Sequence, residues 1–258
     1  MCLILFAYKA HPSYKLILIG NRDEFYNRPT SKAGFWHEAP HVLAGRDLSH
    51  GGTWFGITRY GRIAAITNYR DPGSIKENAP SRGLLVSEFL LSRERPVEYL
   101  DRLRHVSEKY NGFNLILGDE NHIFWYSNRG EGIRMIEPGI HGLSNHLLDT
   151  PWPKIVRGKD RLSALILKNK VISPPELFAI LQDRTVAEDK DLPRTGVTKE
   201  WERMLSPIFI STSTYGTRSS AVLLVDVTDH ATFMEKTYDE NGDPVASLEY
   251  KLDMESYK

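Results

Sequence analysis

The sequence predicts an α+β fold in which mostly antiparallel sheets are flanked by helices, and three observations favour it. Strands and helices fall into separate blocks along the chain, in the order sheet, helix pair, sheet, helix pair, sheet. The strand-like apolar runs are short and are bounded by Gly, Asn, Asp or Pro, and helical periodicity is confined to two regions. Short turns between successive strands favour antiparallel pairing, because parallel strands need long crossover connections.

The first element is a predicted β-hairpin. Residues 2–8 form a short apolar strand, residues 10–13 a turn, and residues 14–20 a second strand. Pairing the two strands brings Cys2 near the end of the second one. That end is followed directly by the polar cluster Asn21-Arg22-Asp23-Glu24.

Beyond the hairpin, an irregular segment over residues 25–50 precedes two further strands. A Gly-rich turn leads into a strand that ends at residue 58, and a second strand spans residues 63–68. Two helices follow, because apolar residues recur on one helical face in residues 81–91 and again in residues 96–110.

The second half of the chain follows the same pattern of blocks. Four strands are predicted, in residues 113–117, 122–127, 133–137 and 139–144. Helical periodicity returns in residues 152–167 and 174–181, and a charged loop spans residues 188–196. The last strands are predicted in residues 207–213, 219–226, 231–238 and 246–252.

The composition excludes several classes of protein. The 258-residue chain carries 33 Lys+Arg against 33 Asp+Glu, so no general attraction to nucleic acid or anionic lipid is expected. Its one cysteine excludes a disulfide within the chain and favours a reducing compartment. No apolar run approaches the about 20 residues of a spanning helix, and no leader peptide is recognisable. We therefore expect a cytoplasmic protein without a transmembrane segment, folded as one domain over residues 1–258.

Cys2 is the first candidate for chemistry. A small second residue favours removal of Met1 by methionine aminopeptidases, which would leave Cys2 with a thiol and a free α-amine. Their reference pKa values are about 8.5 and about 7.7–8.0, so a nucleophile and a base would belong to one residue. The alternative is that Cys2 is a small apolar residue at the start of a buried strand.

The polar cluster after the hairpin offers partners for Cys2. The charge of Arg22 would favour a thiolate, and Asp23 would orient the terminal ammonium. Alternation along a strand puts Asn21 and Asp23 on one face and Arg22 and Glu24 on the other. The alternative is a solvated turn with local ion pairs.

Four further residues are candidates for binding or catalysis. Asn68 and Asn145 each follow a strand and would suit an oxyanion donor, with turn or capping roles as the alternative. Arg218 precedes an apolar strand and would suit an anionic ligand group, with a surface position as the alternative. Trp54 would line an apolar pocket or pack in the core.

Metal and nucleotide motifs are missing from the sequence. None of the nine histidines forms H-E-x-x-H, and there is no Walker A or G-x-G-x-x-G sequence. The lack of C-x-x-C-H excludes covalent haem, whereas a non-covalent haem iron can take one histidine or Cys2 as an axial ligand.

Several segments together resemble the NRDE family, also called the Transport and Golgi Organization protein 2 family. The resemblance begins at Cys2, spans nearly the whole chain and is far more specific than N-R-D-E alone. It is carried, in order, by NRDEFY (21–26) with RP (28–29), GGTWFGI (51–57), AAITNY (64–69), RG (82–83), YNGFNLI (110–116), SNRG (127–130), GLSN (142–145), TPWPK (150–154) and YGTR (215–218).

The resemblance implies a four-layer αββα sandwich of the N-terminal-nucleophile hydrolase type, with two stacked antiparallel sheets between helical layers. Hydrolases of this fold with a mature N-terminal cysteine cleave amides, as choloylglycine and penicillin V hydrolases do. Those enzymes carry R-x-x-D after the hairpin, whereas Arg22 and Asp23 are adjacent here. The catalytic candidates are therefore Cys2, Asp23, Asn68 and Asn145, and the ligand-binding candidates are Asn21, Arg22, Glu24, Trp54 and Arg218.

The resemblance also implies a choice of ligand. Members of the family are implicated in haem trafficking and in lipid and acyl-coenzyme A metabolism. We therefore expect a protein that handles haem, as a non-covalent cargo, through a pocket near Cys2. The alternatives are a Cys2-dependent amide or thioester hydrolase and a protein that binds acyl-coenzyme A without turnover.

Overall fold

The computed structural model describes residues 2–255 of the chain. Met1, whose removal is expected from the small residue after it, lies outside the described residues. The first half of the chain contains β1 (Cys2–Tyr8), β2 (Tyr14–Phe25), β3 (Thr30–Phe35), β4 (Val42–Asp47), β5 (Phe55–Thr58), β6 (Ile63–Asn68), α1 (Gly83–Leu91), α2 (Pro96–Arg104), β7 (Phe113–Gly118) and β8 (Ile123–Ser127). The second half contains β9 (Ile133–Met135), β10 (Gly139–Leu143), α3 (Pro153–Lys168), α4 (Pro174–Leu181), α5 (Lys199–Met204), β11 (Tyr215–Asp226), β12 (His230–Tyr238) and β13 (Pro244–Asp253).

The chain divides into two compact units, each with its own sheet. The first unit comprises Met1–Asn27, Glu137–Ser144 and Leu148–Leu252, and it holds a six-stranded sheet of order β10-β1-β2-β11-β12-β13 with helices α3, α4 and α5. The second unit comprises Arg28–Ile136, Asn145–Leu147 and Asp253–Lys258, and it holds a seven-stranded sheet of β3 to β9 in chain order with α1 and α2. The expectation of one domain stays a prediction.

The strand pairs are antiparallel in both sheets, as predicted. In the first unit this holds for β1 with β10 and β2, and for β11 with β2 and β12. In the second unit every successive pair from β3 to β9 is antiparallel. The α+β class with antiparallel sheets is therefore confirmed.

The predicted N-terminal hairpin is present, but its second strand is longer than expected. β2 continues through the polar cluster to Phe25 instead of ending at residue 20. The reason is its position inside the sheet, where Arg22 pairs with Cys2 on one side and with Ser219 of β11 on the other. Backbone pairing on both edges keeps these polar residues in strand conformation.

Two other predicted segments were wrong, and one helix was not predicted. The segment over residues 25–50 contains β3 and β4 and is not irregular. Residues 207–213 form no strand apart from an isolated bridge between Ser211 and Gly216. Residues 199–204, for which no element was predicted, form the short helix α5.

The core of the first unit lies between one face of its sheet and helices α3 and α4. Leu3 and Leu5 of β1 belong to this apolar cluster, together with Ile155 and Leu162 of α3. Helix α3 packs closely on β1, because a Cβ atom at Gly158 would lie 2.5 Å from Cδ1 of Leu5. This close packing brings the first turn of α3 to the sheet.

Candidate functional site around Cys2

Cys2 lies directly opposite Arg22 in the β-hairpin. Opposed residues in an antiparallel pair project their side chains to the same face of the sheet, so Cys2 and Arg22 share a face. Leu3 and Asn21 are the next opposed pair and therefore point to the other face, where Leu3 joins the apolar core. Both Cys2 and Arg22 are buried, with 8% and 7% of their surface exposed.

Asp23 follows Arg22 in β2, is buried and is hydrogen-bonded to residues of β11. Its Oδ1 accepts a hydrogen bond of 2.7 Å from Oγ1 of Thr217, and Oγ1 in turn accepts one of 3.0 Å from the N–H of Ile210. The hydroxyl of Tyr215 donates to the carbonyl oxygen of Asp23 at 2.9 Å. The backbone N–H of Asp23 donates to the thiol of Cys2, which joins the two candidates directly.

The ionisation of Cys2 and Asp23 is set mainly by burial. Burial raises the pKa of the Cys2 thiol, and the charge of the Asp23 carboxylate raises it further. The charge of Arg22 and the hydrogen bond from the Asp23 N–H lower the pKa of the same thiol. Burial also raises the pKa of Asp23, against the charge of Lys154 and the hydrogen bond from Thr217. Cys2 is therefore held as a thiol that needs a nearby proton acceptor in order to react.

Lys154 is a charged neighbour that reasoning from the sequence missed. It lies in the first turn of α3, only 2% of its surface is exposed, and its Nζ donates to the carbonyl oxygen of Leu205 at 3.0 Å. A signal for it was present, because Lys154 precedes Gly158 and Leu162 at spacings of four residues, on the helical face that is buried. A lysine on a buried face calls for a nearby acceptor or opposite charge.

The two arginines differ in their surroundings. The Nη1 atom of Arg22 is buried and has no hydrogen-bond partner among residues 2–255. Arg218 lies where the register between β2 and β11 shifts, and its Nη1 donates to the carbonyl oxygens of Phe25 and Tyr26 at 2.9 Å each. Burial lowers the pKa of Arg218, and the positive charge of Arg22 lowers it further. The two guanidinium groups therefore repel each other electrostatically.

Two other members of the polar cluster are hydrogen-bonded away from Cys2, Asn21 to distant parts of the chain and Glu24 to its neighbour. Nδ2 of Asn21 donates to the carbonyl oxygens of Leu181 and Ile208 at 2.9 Å each, and its Oδ1 accepts from Oγ of Ser220 at 2.6 Å. Asn21 thus ties β2 to the end of α4 and is not brought to the face that carries Cys2. Oε1 of Glu24 accepts from the N–H of Phe25 at 3.0 Å.

The remaining candidates belong to the second unit. Nδ2 of Asn145 donates to the carbonyl oxygen of Asn68 at 2.9 Å, so these two asparagines lie together at the end of β6. Trp54 is buried, with its ring centre 5.5 Å from that of Phe55. The roles predicted for these three residues stay predictions.

The described residues offer few features of a metal or large-ligand site. No group of three or more His, Cys, Asp or Glu side chains suited to a metal ion occurs within residues 2–255. A surface cavity of about 290 Å³ in the first unit contains none of the predicted site residues. Its lining consists of Arg184, Val186, Arg203, Met204, Pro207, Phe209, Ser211 and Thr212.

Comparison with known proteins settles the family. The model of the Transport and Golgi organisation 2 family matches residues 1–240. The chain belongs to this family. Transport and Golgi organization 2 homologues of Mus musculus and Homo sapiens are each 36% identical to it over 257 residues, which cover 92% of this chain and 93% of each relative. The Transport and Golgi organization protein 2 of Drosophila melanogaster is 29% identical and covers 92% of both chains.

Solved structures identify the fold of this Transport and Golgi organisation 2 family member. A conjugated bile acid hydrolase from Clostridium perfringens superposes with a TM-score of 0.53, covering 98% of this chain and 92% of that one. At 11% sequence identity this likeness concerns the fold alone. The predicted N-terminal-nucleophile hydrolase type of fold is therefore confirmed. Within residues 2–255, no helix is both long enough and apolar enough to cross a bilayer.

Proposed function

We propose that the protein is a hydrolase of an amide or a thioester with Cys2 as its nucleophile. The observation that supports this proposal is the link between Cys2 and Asp23 inside the first unit: the Asp23 N–H donates to the thiol, and the charge of the buried Asp23 carboxylate raises the pKa of that thiol. If Cys2 were only a small apolar residue at the start of a buried strand, its surroundings would not need a buried carboxylate that accepts a hydrogen bond from Thr217.

The proposed mechanism begins with removal of Met1, which frees the α-amine of Cys2. That amine takes the thiol proton, and Sγ attacks the carbonyl carbon of the substrate. The C–N or C–S bond then breaks, the leaving group takes the proton, and an acyl group remains on Sγ as a thioester. Water hydrolyses this intermediate with the amine again as the base. Asp23 orients the ammonium form, and its negative charge stabilises it.

Intact-mass measurement tests the proposal in two steps. Protein isolated from its native source should lack Met1, and retention of Met1 would remove the required amine and overturn the mechanism. Brief incubation with a reactive acyl thioester should then add one acyl group, which peptide mapping assigns to residue 2. Cys2→Ala should show no such adduct, while Arg184→Gln, an exposed change in the same unit, should leave adduct formation unchanged.

Haem handling and acyl-coenzyme A binding stay predictions of the family resemblance. Titration with hemin tests the first, because a cargo site must give a saturable change in the Soret band that Cys2→Ala or a histidine variant alters. Acyl-coenzyme A affinity measured from low to high salt tests the second, since contacts to exposed phosphates weaken as screening increases. The contacts between Cys2 and Asp23 favour the hydrolase over either of these functions.

A further inference from the structure

Arg22 is a buried cation whose Nη1 atom lacks a partner. Only 7% of its surface is exposed, and its Nη1 atom has no hydrogen bond within residues 2–255. A buried guanidinium N–H without an acceptor costs free energy, because nothing replaces the hydrogen bond to water that the donor has lost. A free arginine donor at this depth therefore indicates an anionic partner that is supplied from outside the chain.

The surroundings of Arg22 reinforce this reading. The adjacent carboxylate, Asp23, uses Oδ1 to accept from Thr217. Arg218 carries a charge of the same sign. Burial and the charge of Arg22 lower the pKa of Arg218, against the opposing charge of Glu24. Two guanidinium groups close enough to repel each other favour an anion between or beside them.

We propose that Arg22 forms a carboxylate-binding subsite next to Cys2, so that the substrate carries a carboxylate only a few bonds from its scissile carbonyl. The inference rests on the proposed hydrolase and names its substrate class. Opposed residues in an antiparallel pair have Cα atoms about 4.5–5.5 Å apart, and Arg22 and Cys2 point to the same face. The charge of Arg22 lowers the pKa of the Cys2 thiol, so an anion that meets Nη1 lies in the neighbourhood of the carbon that Sγ attacks.

This geometry separates two kinds of anionic substrate. A short amide or thioester with a nearby carboxylate satisfies both Cys2 and Arg22 at once. Acyl-coenzyme A does not, because its phosphates lie at the far end of a long pantetheine arm when its thioester carbon is at Cys2. A carboxylate also matches the planar guanidinium group, which can donate two parallel hydrogen bonds to it.

The test compares the alkylation of Cys2 by iodoacetate and by iodoacetamide, which differ only in the charge beside the reacting carbon. With either reagent an S–C bond forms, the C–I bond breaks, iodide leaves and the thiol proton passes to the buffer. Cys2 is the only cysteine, so no other thiol competes, and peptide mapping assigns the adduct to its sulfur. The ratio of the iodoacetate rate to the iodoacetamide rate should fall at least about tenfold in Arg22→Gln, as expected for loss of one close charge pair.

Controls separate charge from structure. Arg22→Lys should retain part of the ratio, and Arg184→Gln should retain all of it. An unchanged ratio in Arg22→Gln would overturn the carboxylate subsite and leave the hydrolase intact. No reaction of Cys2 with either reagent would instead count against Cys2 as a nucleophile. If Arg22→Gln does not fold, protection of wild-type Cys2 from iodoacetamide by N-acetylglycine, but not by N-acetylglycinamide, decides the question; equal protection by both overturns the subsite.

A second comparison identifies which side of the scissile bond carries the carboxylate. Cys2→Ala can be titrated with an N-acyl amino acid, whose carboxylate is on the leaving group, and with a monoamide of a dicarboxylic acid, whose carboxylate is on the acyl group. Each is compared with its neutral carboxamide. At least one acid should bind about tenfold more tightly than its neutral counterpart, and Arg22→Gln should abolish the difference. Equal affinity of both acids and both neutral counterparts overturns the proposal.

Discussion

At the scale of single residues, the first unit buries charged groups of both signs, and two of them, Arg22 and Asp23, act on the pKa of Cys2. Arg22, Asp23 and Lys154 are each more than 90% buried. Charges at such depth are expensive, and replacing them with apolar residues of similar size would often stabilise the fold. The proposed hydrolase gives Arg22 and Asp23 a role at Cys2 that stability alone does not provide.

The charge of Asp23 predicts a measurable effect on Cys2. Because the Asp23 carboxylate raises the pKa of the thiol, Asp23→Asn should lower that pKa. The amide keeps a similar volume and an oxygen that can accept from Thr217. The rate of Cys2 alkylation by iodoacetamide, followed against pH, should show its midpoint at lower pH in Asp23→Asn. A midpoint that is unchanged or higher would contradict the assigned direction; Asp229→Asn, a half-exposed change in the same unit, is the control.

Lys154 and Asp23 should be coupled in stability. The charge of Lys154 lowers the pKa of Asp23, so Lys154→Met lets burial raise that pKa further. A carboxyl group whose folded pKa is raised destabilises the fold above its unfolded pKa of about 3.9, and the loss disappears as pH falls below that value. Lys154→Met should therefore lose about 3–5 kcal/mol at pH 7, and less near pH 4.

A double-mutant cycle measured by urea unfolding checks this coupling. Adding Asp23→Asn to Lys154→Met should recover about 0.5–3 kcal/mol, because the variant no longer buries an unpaired carboxylate. Additive losses in the double variant would show that Lys154 and Asp23 are not coupled.

At the scale of elements, the local spacing of apolar residues predicted the strands and helices with strong periodicity. It failed for segments whose conformation depends on pairing with other strands of the sheet. The strands of the first hairpin and helices α3 and α4 followed from apolar spacing. β2 runs on to Phe25 only because β1 and β11 pair with it from both sides, and no local signal in N-R-D-E reports that. β3 and β4 were missed because β3 is an edge strand that exposes polar residues, and its pairing with β4 is interrupted by a register shift.

The close contact between the start of α1 and Gly52, which precedes β5, predicts the effect of a substitution. A Cβ atom at Gly52 would lie 2.7 Å from the backbone nitrogen of Leu84 and 2.8 Å from the carbonyl oxygen of Gly83. These are backbone atoms at the start of α1, so they cannot move aside as a side chain would. Gly52→Ala should cost about 1–3 kcal/mol in urea unfolding. Gly73→Ala, whose nearest atom lies 3.9 Å away, should cost less than Gly52→Ala; equal losses would contradict the packing argument.

At the scale of the whole molecule, the candidate site of the first unit is assembled from distant parts of the chain. Cys2, Asp23, Lys154 and Thr217 come from β1, β2, α3 and β11. The sheet order β1-β2-β11 joins three of these elements, and no spacing in the sequence encodes that order. The motifs therefore supplied the candidate residues, while the pairing of Cys2 with Arg22 and the burial of Lys154 required the fold.

The path of the chain predicts how the molecule unfolds. The chain passes from one unit to the other after residues 27, 136, 144, 147 and 252, so neither unit is a continuous segment that can be released at one linker. We therefore expect one cooperative transition, in agreement with the single domain predicted from the sequence.

A variant and a probe in different units test this expectation. Gly52→Ala weakens the second unit, whereas Cys2 lies in the first. Alkylation of Cys2 by brief pulses of iodoacetamide in increasing urea follows the exposure of β1. Gly52→Ala should lower the alkylation midpoint as much as it lowers the midpoint measured by far-UV circular dichroism. A variant in which Cys2 stays protected, while part of the dichroism signal is lost at lower urea, would show two independent units and contradict the single domain.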